Sequence, residues 1–329
     1  MMKRIYVLLL AVLLMMALPF AAFAGGAAEE PPEPDEEFNF YMVTHGGAAD
    51  PFWAVVIRGA EDAAERFGVN LTYLGPEVAD IGEFVNMLET AVDARPDGIA
   101  VTITDPDAVE EPLRRAIEEY DIPVVALNVP DERERGERIP YLSYVGADEY
   151  QVGVQAARRM LEEFTPQAGV VLIHEPGHSG LERRAQGISD VFGEEGIAIE
   201  RLSGRPDAAE NYEVLEAYLI ANENVDAVFT LGPQGAHPSL AVLADLPHGD
   251  GIRLGAVDLT DEMISAIDDG RMLFTIEQQQ YLQGYLPIGL LTLYNLYGLI
   301  PHDDILTGPA IVDLNNVDIV RAMVEAGYR

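Results

Sequence analysis

From Phe38 onward, short β-rich runs alternate with amphipathic stretches of roughly 12–18 residues, a rhythm that leaves few architectures open. The first half contains FNFYMVT (38–44), VNLTYLG (69–75), DGIAVTI (97–103), IPVVALN (122–128) and YLSYVG (141–146). The second repeats the pattern with AGVVLIHE (168–175), IAIERLS (197–203), VDAVFTL (225–231), IRLGAVD (252–258) and RMLFTIEQ (271–278). Between them lie helical patterns such as 52–67, where Phe52, Val55, Val56, Ala60, Ala63 and Phe67 fall on one face, leaving Trp53 off it. Such alternation dictates parallel sheets covered by helices, with right-handed crossovers. The runs are too many for one small sheet, so the fold class is α/β with two doubly wound parallel-sheet lobes.

Before this region, residues 1–24 read as a secretory signal: Lys3 and Arg4, an apolar run from Ile5, and Ala22-Phe23-Ala24 at the cleavage point. The chain has no cysteine, so no lipid can be attached at that point and no disulfide or thiolate metal site can form. The expectation is a secreted or periplasmic protein, cleaved near Ala24 and not a lipoprotein. Residues 25–37 (GGAAEEPPEPDEE) then form a disordered acidic leader. Acidic residues number 56 against 20 basic ones, with Lys3 the only lysine, and removing the signal moves the formal charge from −36 to −38. Nucleic acid and anionic membrane surfaces are thereby poor partners, because the attraction that drives such binding is reversed, and no nucleic acid is expected.

In open α/β sheets ligands bind beyond the carboxyl ends of the strands. The residues there are 44–53, Asp105, Asn128, 174–182, 232–234, Asp258 and Gln278 onward. They are aromatic in the first lobe and rich in planar hydrogen-bonding groups in both. Asp50 before Pro51 suits a helix cap, with ligand contact as a further role. Gln278, Gln279 and Gln280 are not expected in the core as a group, since glutamine is costly to bury unpaired.

Two motifs fail on context. HEPGH (174–178) has the zinc-protease spacing, but it follows a strand run and Pro176-Gly177 would break the helix that chemistry needs. GHSGL (177–181) has leucine where a nucleophile elbow has glycine. No nucleotide loop is present and the six histidines show no metal-ligand spacing, so neither an enzyme nor a cofactor or metal site is expected.

DPFWAVVIRGAEDAAERFG (50–68), RPDGIAVTITDPDAVEEPLRRAIEEYDIPVVALN (95–128), VGADEYQVGVQAARRM (145–160), HSGLERRAQG (178–187), LGAVD (254–258) and TIEQQQYLQGY (275–285) follow one another in the order of a known family. The chain resembles type I periplasmic solute-binding proteins of ABC importers, most nearly the ribose and galactose group. The resemblance implies a clamp of two lobes, 38–146 with 280–306 and 147–279 with 307–329, joined by a three-segment hinge. It implies capture of a small neutral sugar or polyol by a monomer, and delivery to an ABC permease with its ATPase subunits. A ligand-presenting role beside a sensor or chemoreceptor is the alternative.

Carried over by position, Asp50, Phe52 and Trp53 match the aromatic segment that stacks on the sugar. Asn128 and Asp258 match hydroxyl-binding residues of the two lobes, and Gln278 matches the hinge glutamine. Asp105, His178, Glu182 and Gly232 complete the candidate ligand-binding set. Val129 and Glu182 stand where the ribose pattern has arginines, and Gly232-Pro233 where it has Asn-Asp. Whether Glu182 or Arg183 faces the cleft is a matter of one residue of register.

Overall fold

The computed structural model describes residues 37–134, 136–205 and 207–329. The signal segment, and all of the leader but Glu37, lie outside the described residues.

Each β-rich run of the first half becomes a strand: β1 (Asn39–Val43), β2 (Asn70–Leu74), β3 (Gly98–Val101), β4 (Val124–Asn128) and β5 (Tyr144–Ala147). Helices α1 (Pro51–Phe67), α2 (Ile81–Asp93) and α3 (Pro106–Arg114) separate the first four strands. The chain then continues through α4 (Glu149–Glu163), β6 (Ala168–Ile173), α5 (Ser179–Glu194), β7 (Ala198–Ser203), α6 (Ala208–Ala221) and β8 (Ala227–Thr230). After these come α7 (Pro233–Asp245), β9 (Arg253–Val257), α8 (Asp261–Asp268), β10 (Phe274–Glu277) and α9 (Gln280–Tyr297). The chain closes with β11 (Ile305–Gly308), β12 (Ala310–Asp313) and α10 (Val317–Glu325).

Two six-stranded sheets result, ordered β11-β5-β4-β3-β1-β2 and β12-β10-β9-β8-β6-β7. All neighbours run parallel except β10 and β12, which are antiparallel. Every residue of β3, β4, β5, β6, β8 and β10 is buried, as helices on both faces of a parallel sheet require. The edge strands β2 and β7 keep exposed positions. In the first sheet, Phe40 and Met42 pack with Val56 and Ala60 of α1 on one face. Val43, Ile99 and Val101 pack with Phe84 and Leu88 of α2 on the other. The chain passes between the sheets three times, from β5 into α4, from β10 into α9, and from β11 to β12.

Aspartates start five of the helices: Asp50, Asp80, Asp105, Asp148 and Asp207 each accept a hydrogen bond from a first-turn backbone N–H. Because a helix follows each strand's carboxyl end, several of these caps gather on the cleft side of the sheets. Part of the acidic excess is thus built into the edge of the ligand region.

The buried face of α1 is rotated from the one that hydropathy marks. It runs through Phe52, Trp53, Val56, Gly59, Ala60, Ala63 and Ala64, while Phe67 is exposed. Gly59 carries no hydrophobic signal, yet it is where α9 makes backbone contact, so the stripe turns toward it. Trp53 therefore belongs to the buried face, at 3% exposed.

Candidate functional site

The cavity between the two sheets' carboxyl ends is lined by Asp50, Phe52, Trp53, Asn128, His178, Gly232, Asp258 and Gln278, eight of the candidate residues. His45, His174, Glu175, Arg184 and Gln234 also line it, with Leu181, Leu231 and Pro233. Its volume is about 40 Å³.

The aromatic wall comes from the start of α1. Phe52 and Trp53 meet edge to face at 4.9 Å between ring centroids, and His45 meets Trp53 the same way, also at 4.9 Å. Trp53 lies directly over Gly46, where any side chain would collide with the indole. The tryptophan is thus fixed by packing before any ligand arrives.

Polar groups ring that wall. Asp50 accepts from Phe52 N–H at 2.9 Å as a helix cap, and its other oxygen accepts from the Gln234 amide of the opposite lobe. Burial raises its pKa. Asn128 ends β4 and Asp258 follows β9, and both take left-handed backbone angles (φ 60° and 74°) that asparagine and aspartate tolerate best among non-glycine residues. These residues occupy equivalent places in the two lobes, and a relay of amides joins them. The Gln278 amide donates to Asp258 Oδ1 at 2.7 Å, and the Gln283 amide donates to the Gln278 carbonyl at 3.1 Å. The Asn128 amide in turn donates to Gln283 Oε1 at 3.0 Å. Gln278 and Gln280 are buried and Gln279 is half-buried, which corrects the expectation for the glutamine run. Gln278 and the nearby Gln283 are paired, which removes the cost of their burial, whereas both side-chain polar atoms of Gln280 are without a partner among the described residues. Gln283, outside the candidate set, completes the relay.

The register question at 182–183 has a third answer. Leu181, Arg184, Ala185 and Ile188 form the buried stripe of α5, so Arg184, 4% exposed, is the residue that faces inward. Its Nε and Nη2 donate to the two oxygens of buried Glu149, and its Nη1 donates to the Leu231 carbonyl at 2.7 Å. Arg183 instead pairs with Glu132 at 2.7 Å on a more open face. Glu182 pairs with Arg201 and accepts from Gly177 N–H, away from the cavity. Asp105 is likewise outside: it caps α3 and lines a wider hollow of about 350 Å³ at the cleft mouth.

Burial sets the charge state of this site. It raises Glu175 and Asp258 to about 7 each, with Asp50 adding to the rise at Glu175. It lowers His45 and His174 to about 3, with Arg184 adding to the effect, and His178 falls well below its usual value. The three histidines lining the cavity are neutral at pH 7, and the guanidinium of Arg184 is already matched by Glu149. Gly232 leaves room for the His174 ring, whose Nδ1 has no hydrogen-bond partner among the described residues. His45, distant in sequence from Glu175 and His178, brings a ring nitrogen close to both, the three groups lying within 4.8 Å of one another.

A two-lobed α/β clamp with an aromatic and polar cavity between strand ends defines a solute-binding protein. Residues 40–294 match the periplasmic binding protein domain, and the chain belongs to that family. It is 28% identical to the xylose/arabinose-binding protein XylF of Sulfolobus acidocaldarius, over 94% of this chain and 77% of that one. The ribose import binding protein RbsB of Escherichia coli is 24% identical, over 70% and 75% of the two chains. Among solved structures, a carbohydrate transporter from Acidothermus cellulolyticus in complex with myo-inositol superposes with a TM-score of 0.82 at 29% identity. It covers 89% of this chain and 100% of that one. A periplasmic sugar-binding protein of an ABC sugar transporter from Legionella pneumophila follows at 31% identity and a TM-score of 0.77, over 83% and 100%. Like these relatives, the chain is a binding protein and not an enzyme.

Proposed function

We propose that this protein captures a small neutral sugar or cyclic polyol in the interlobe cavity and delivers it to an ABC import permease. The observation that carries the reading is the pairing of a rigid aromatic wall, Phe52 and Trp53, with Asp50, Asn128, Gln234, Asp258 and Gln278 around it. A sugar or inositol ring has an apolar C–H face and a rim of hydroxyls. The indole matches the face, and carboxylates and amides match vicinal hydroxyls in pairs. Arg184 is the guanidinium among the described residues lining the cavity, and its pairing with Glu149 disfavours an anionic ligand. The binding of myo-inositol by one relative and the xylose/arabinose name of another support this ligand class. The ligand contacts are assigned to the lining residues from both lobes, with Asp105 and Glu182 left out. The hinge is placed at the three passages between sheets, the lobes closing by rotation about them. Export through the 1–24 signal, absence of a lipid anchor and a monomeric state complete the proposal. No helix among the described residues is long and apolar enough to cross a membrane.

The test is a thermal-shift screen of the protein from residue 25 onward against pentoses, hexoses, inositols, acyclic polyols and amino acids. A ligand of the folded clamp adds about 2.7 kcal/mol of stability at a hundredfold excess over Kd. A sugar or polyol should raise Tm, and Trp53→Ala, checked for folding by circular dichroism, should abolish the shift. A response to amino acids alone would sink the assignment.

A further inference from the structure

We propose that His45 and His178 form a proton-gated latch, a hydrogen bond between two neutral imidazoles that holds the lobes shut and is lost when either ring is protonated. The inference rests on the clamp reading above. The two Nε2 atoms are 3.1 Å apart across the cleft, and the rings meet at 4.7 Å and 73°. Ser179 N–H donates to the Thr104 carbonyl at 3.1 Å beside them, so the lobes touch directly here.

The remaining ring nitrogens fix where the protons sit. Leu181 N–H donates to His178 Nδ1 at 3.3 Å, which makes that nitrogen an acceptor and puts the His178 proton on Nε2. His178 Nε2–H therefore donates to His45 Nε2. The His45 proton is then on Nδ1, which donates to Thr102 Oγ1 at 3.0 Å. Thr102 Oγ1 accepts a second bond from His45 backbone N–H at 3.1 Å. The reverse order fails, because it would turn a protonated His178 Nδ1 against Leu181 N–H. A further proton on His45 would set two donors nose to nose; one on His178 Nδ1 would uncap α5. The closed arrangement needs both rings neutral.

Arg184 and His174 of the second lobe reinforce this by disfavouring positive charge on either ring, while any ionised carboxylate facing the pair opposes it. Glu175 lies close to both rings, and burial leaves its carboxyl at about 7. Asp50 faces the inner cavity with the pair, and Asp80 and Asp105 face the outer hollow. His45, Glu175 and His178 are close enough to share one metal ion. Yet the His178 nitrogen that would face the ion carries the proton while Nδ1 caps α5, so this geometry favours a proton switch.

In the open clamp the rings return to water and an ordinary value of about 6.5. Closed, His45 lies at about 3. Closure is therefore fully supported above pH 6.5 and loses support as pH falls through it. For His45 linkage contributes about a thirtyfold weakening of sugar affinity between pH 7.5 and 5, and His178 acts in the same direction. Glu175 and Asp258 act in the opposite sense, because the closed form holds their protons more tightly than the open one. A comparison of wild type with a histidine variant separates the two effects.

Titration calorimetry with myo-inositol, D-xylose and D-ribose at pH 7.5 and 5, on wild type and His178→Asn, provides the test. Asparagine keeps a capping acceptor but does not titrate. Over this range the ratio of wild-type to His45→Gln affinity should fall about thirtyfold, and the ratio of wild-type to His178→Asn affinity should fall in the same direction, whichever way the two carboxyls move each affinity alone. At pH 6, buffers of different ionisation enthalpy should show about 0.8 more protons released per sugar bound by wild type. His45→Gln should give the same result, and serves should the first variant not fold. Equal pH slopes and equal proton counts would overturn the latch and leave the sugar reading intact. Affinity that depends on EDTA or added zinc would assign the cluster to a metal and overturn it too. Silence from every sugar and polyol of the thermal-shift panel would overturn both readings.

Discussion

Arg184 ties three elements at the floor of the cavity: its own helix α5, Glu149 in the first turn of α4, and the carbonyl of Leu231 after β8. Burial pushes the Glu149 carboxyl upward against the pull of the guanidinium. Both partners are almost fully buried, so deleting one leaves an uncompensated charge in the core. Glu149→Gln should therefore cost about 3–5 kcal/mol in urea unfolding, and Glu149→Leu with Arg184→Met should recover much of it. A loss below about 1 kcal/mol for the single variant would mean that water reaches the pair. This pair also marks the limit of sequence reading at the residue scale. Phe52, Trp53, Asn128, Asp258 and Gln278 were legible because a strand-end rule and a family pattern both point at them. Arg184 was hidden in a charged run, although the spacing of Leu181, Ala185 and Ile188 already places it on the buried side of α5. His45 and Glu175 gained their meaning only from each other, and no local pattern records a contact between residues 130 positions apart.

Both lobes are built on a pair of helices pressed backbone to backbone through reciprocal glycines. In one, Gly59 of α1 lies on the Tyr281 carbonyl and Gly284 of α9 on the Val56 carbonyl. In the other, Gly153 of α4 lies on the Arg184 carbonyl and Gly187 of α5 on that of Tyr150. A Cβ at any of these positions would strike main-chain atoms, which cannot rotate away as a side chain can. Gly284→Ala should cost about 3 kcal/mol, the upper range for overpacking. Gly193→Ala, in the exposed last turn of α5 with nothing within 4 Å of its Cβ, should instead gain about 0.5–1 kcal/mol from helix propensity. Urea midpoints of the two variants moving in the same direction would defeat this account. The same glycines explain which elements could be read in advance. The ten β-rich runs became strands because each is a short apolar stretch between helical patterns. The rotation of α1 was not readable, since Gly59 contributes contact without hydropathy. Strands β11 and β12 escaped as well: Gly308-Pro309 interrupts a single apolar stretch, and its two halves join different sheets.

At the scale of the whole molecule, the acidic surplus is the dominant long-range force. Many arginines are already matched locally: Arg114 to Glu110 and Glu118, Arg133 to Asp131 and Glu110, Arg159 to Asp313, and Arg321 to Asp268. The formal charge of −36 is what remains over the chain after every such cation is counted, so its repulsion has no internal counterweight. Added salt weakens the local pairs slightly, because they are short and partly buried. It weakens the diffuse repulsion far more, since the screening length falls from about 10 Å at 0.1 M to 3 Å at 1 M. Repulsion should therefore win, and Tm should rise by about 5 °C between 0.05 and 1 M sodium chloride at pH 7.5. Choline chloride at equal ionic strength should give most of the same rise, which separates screening from salt-specific effects on apolar surface. A flat or falling Tm would show that the surface pairs carry more stability than the surplus charge removes. The cavity should not share this dependence. A neutral ring releases no counterions when it binds, and Arg184 and Glu149 offset each other beneath it. Sugar affinity measured across the same salt series should hold within about twofold, even as the fold around it tightens.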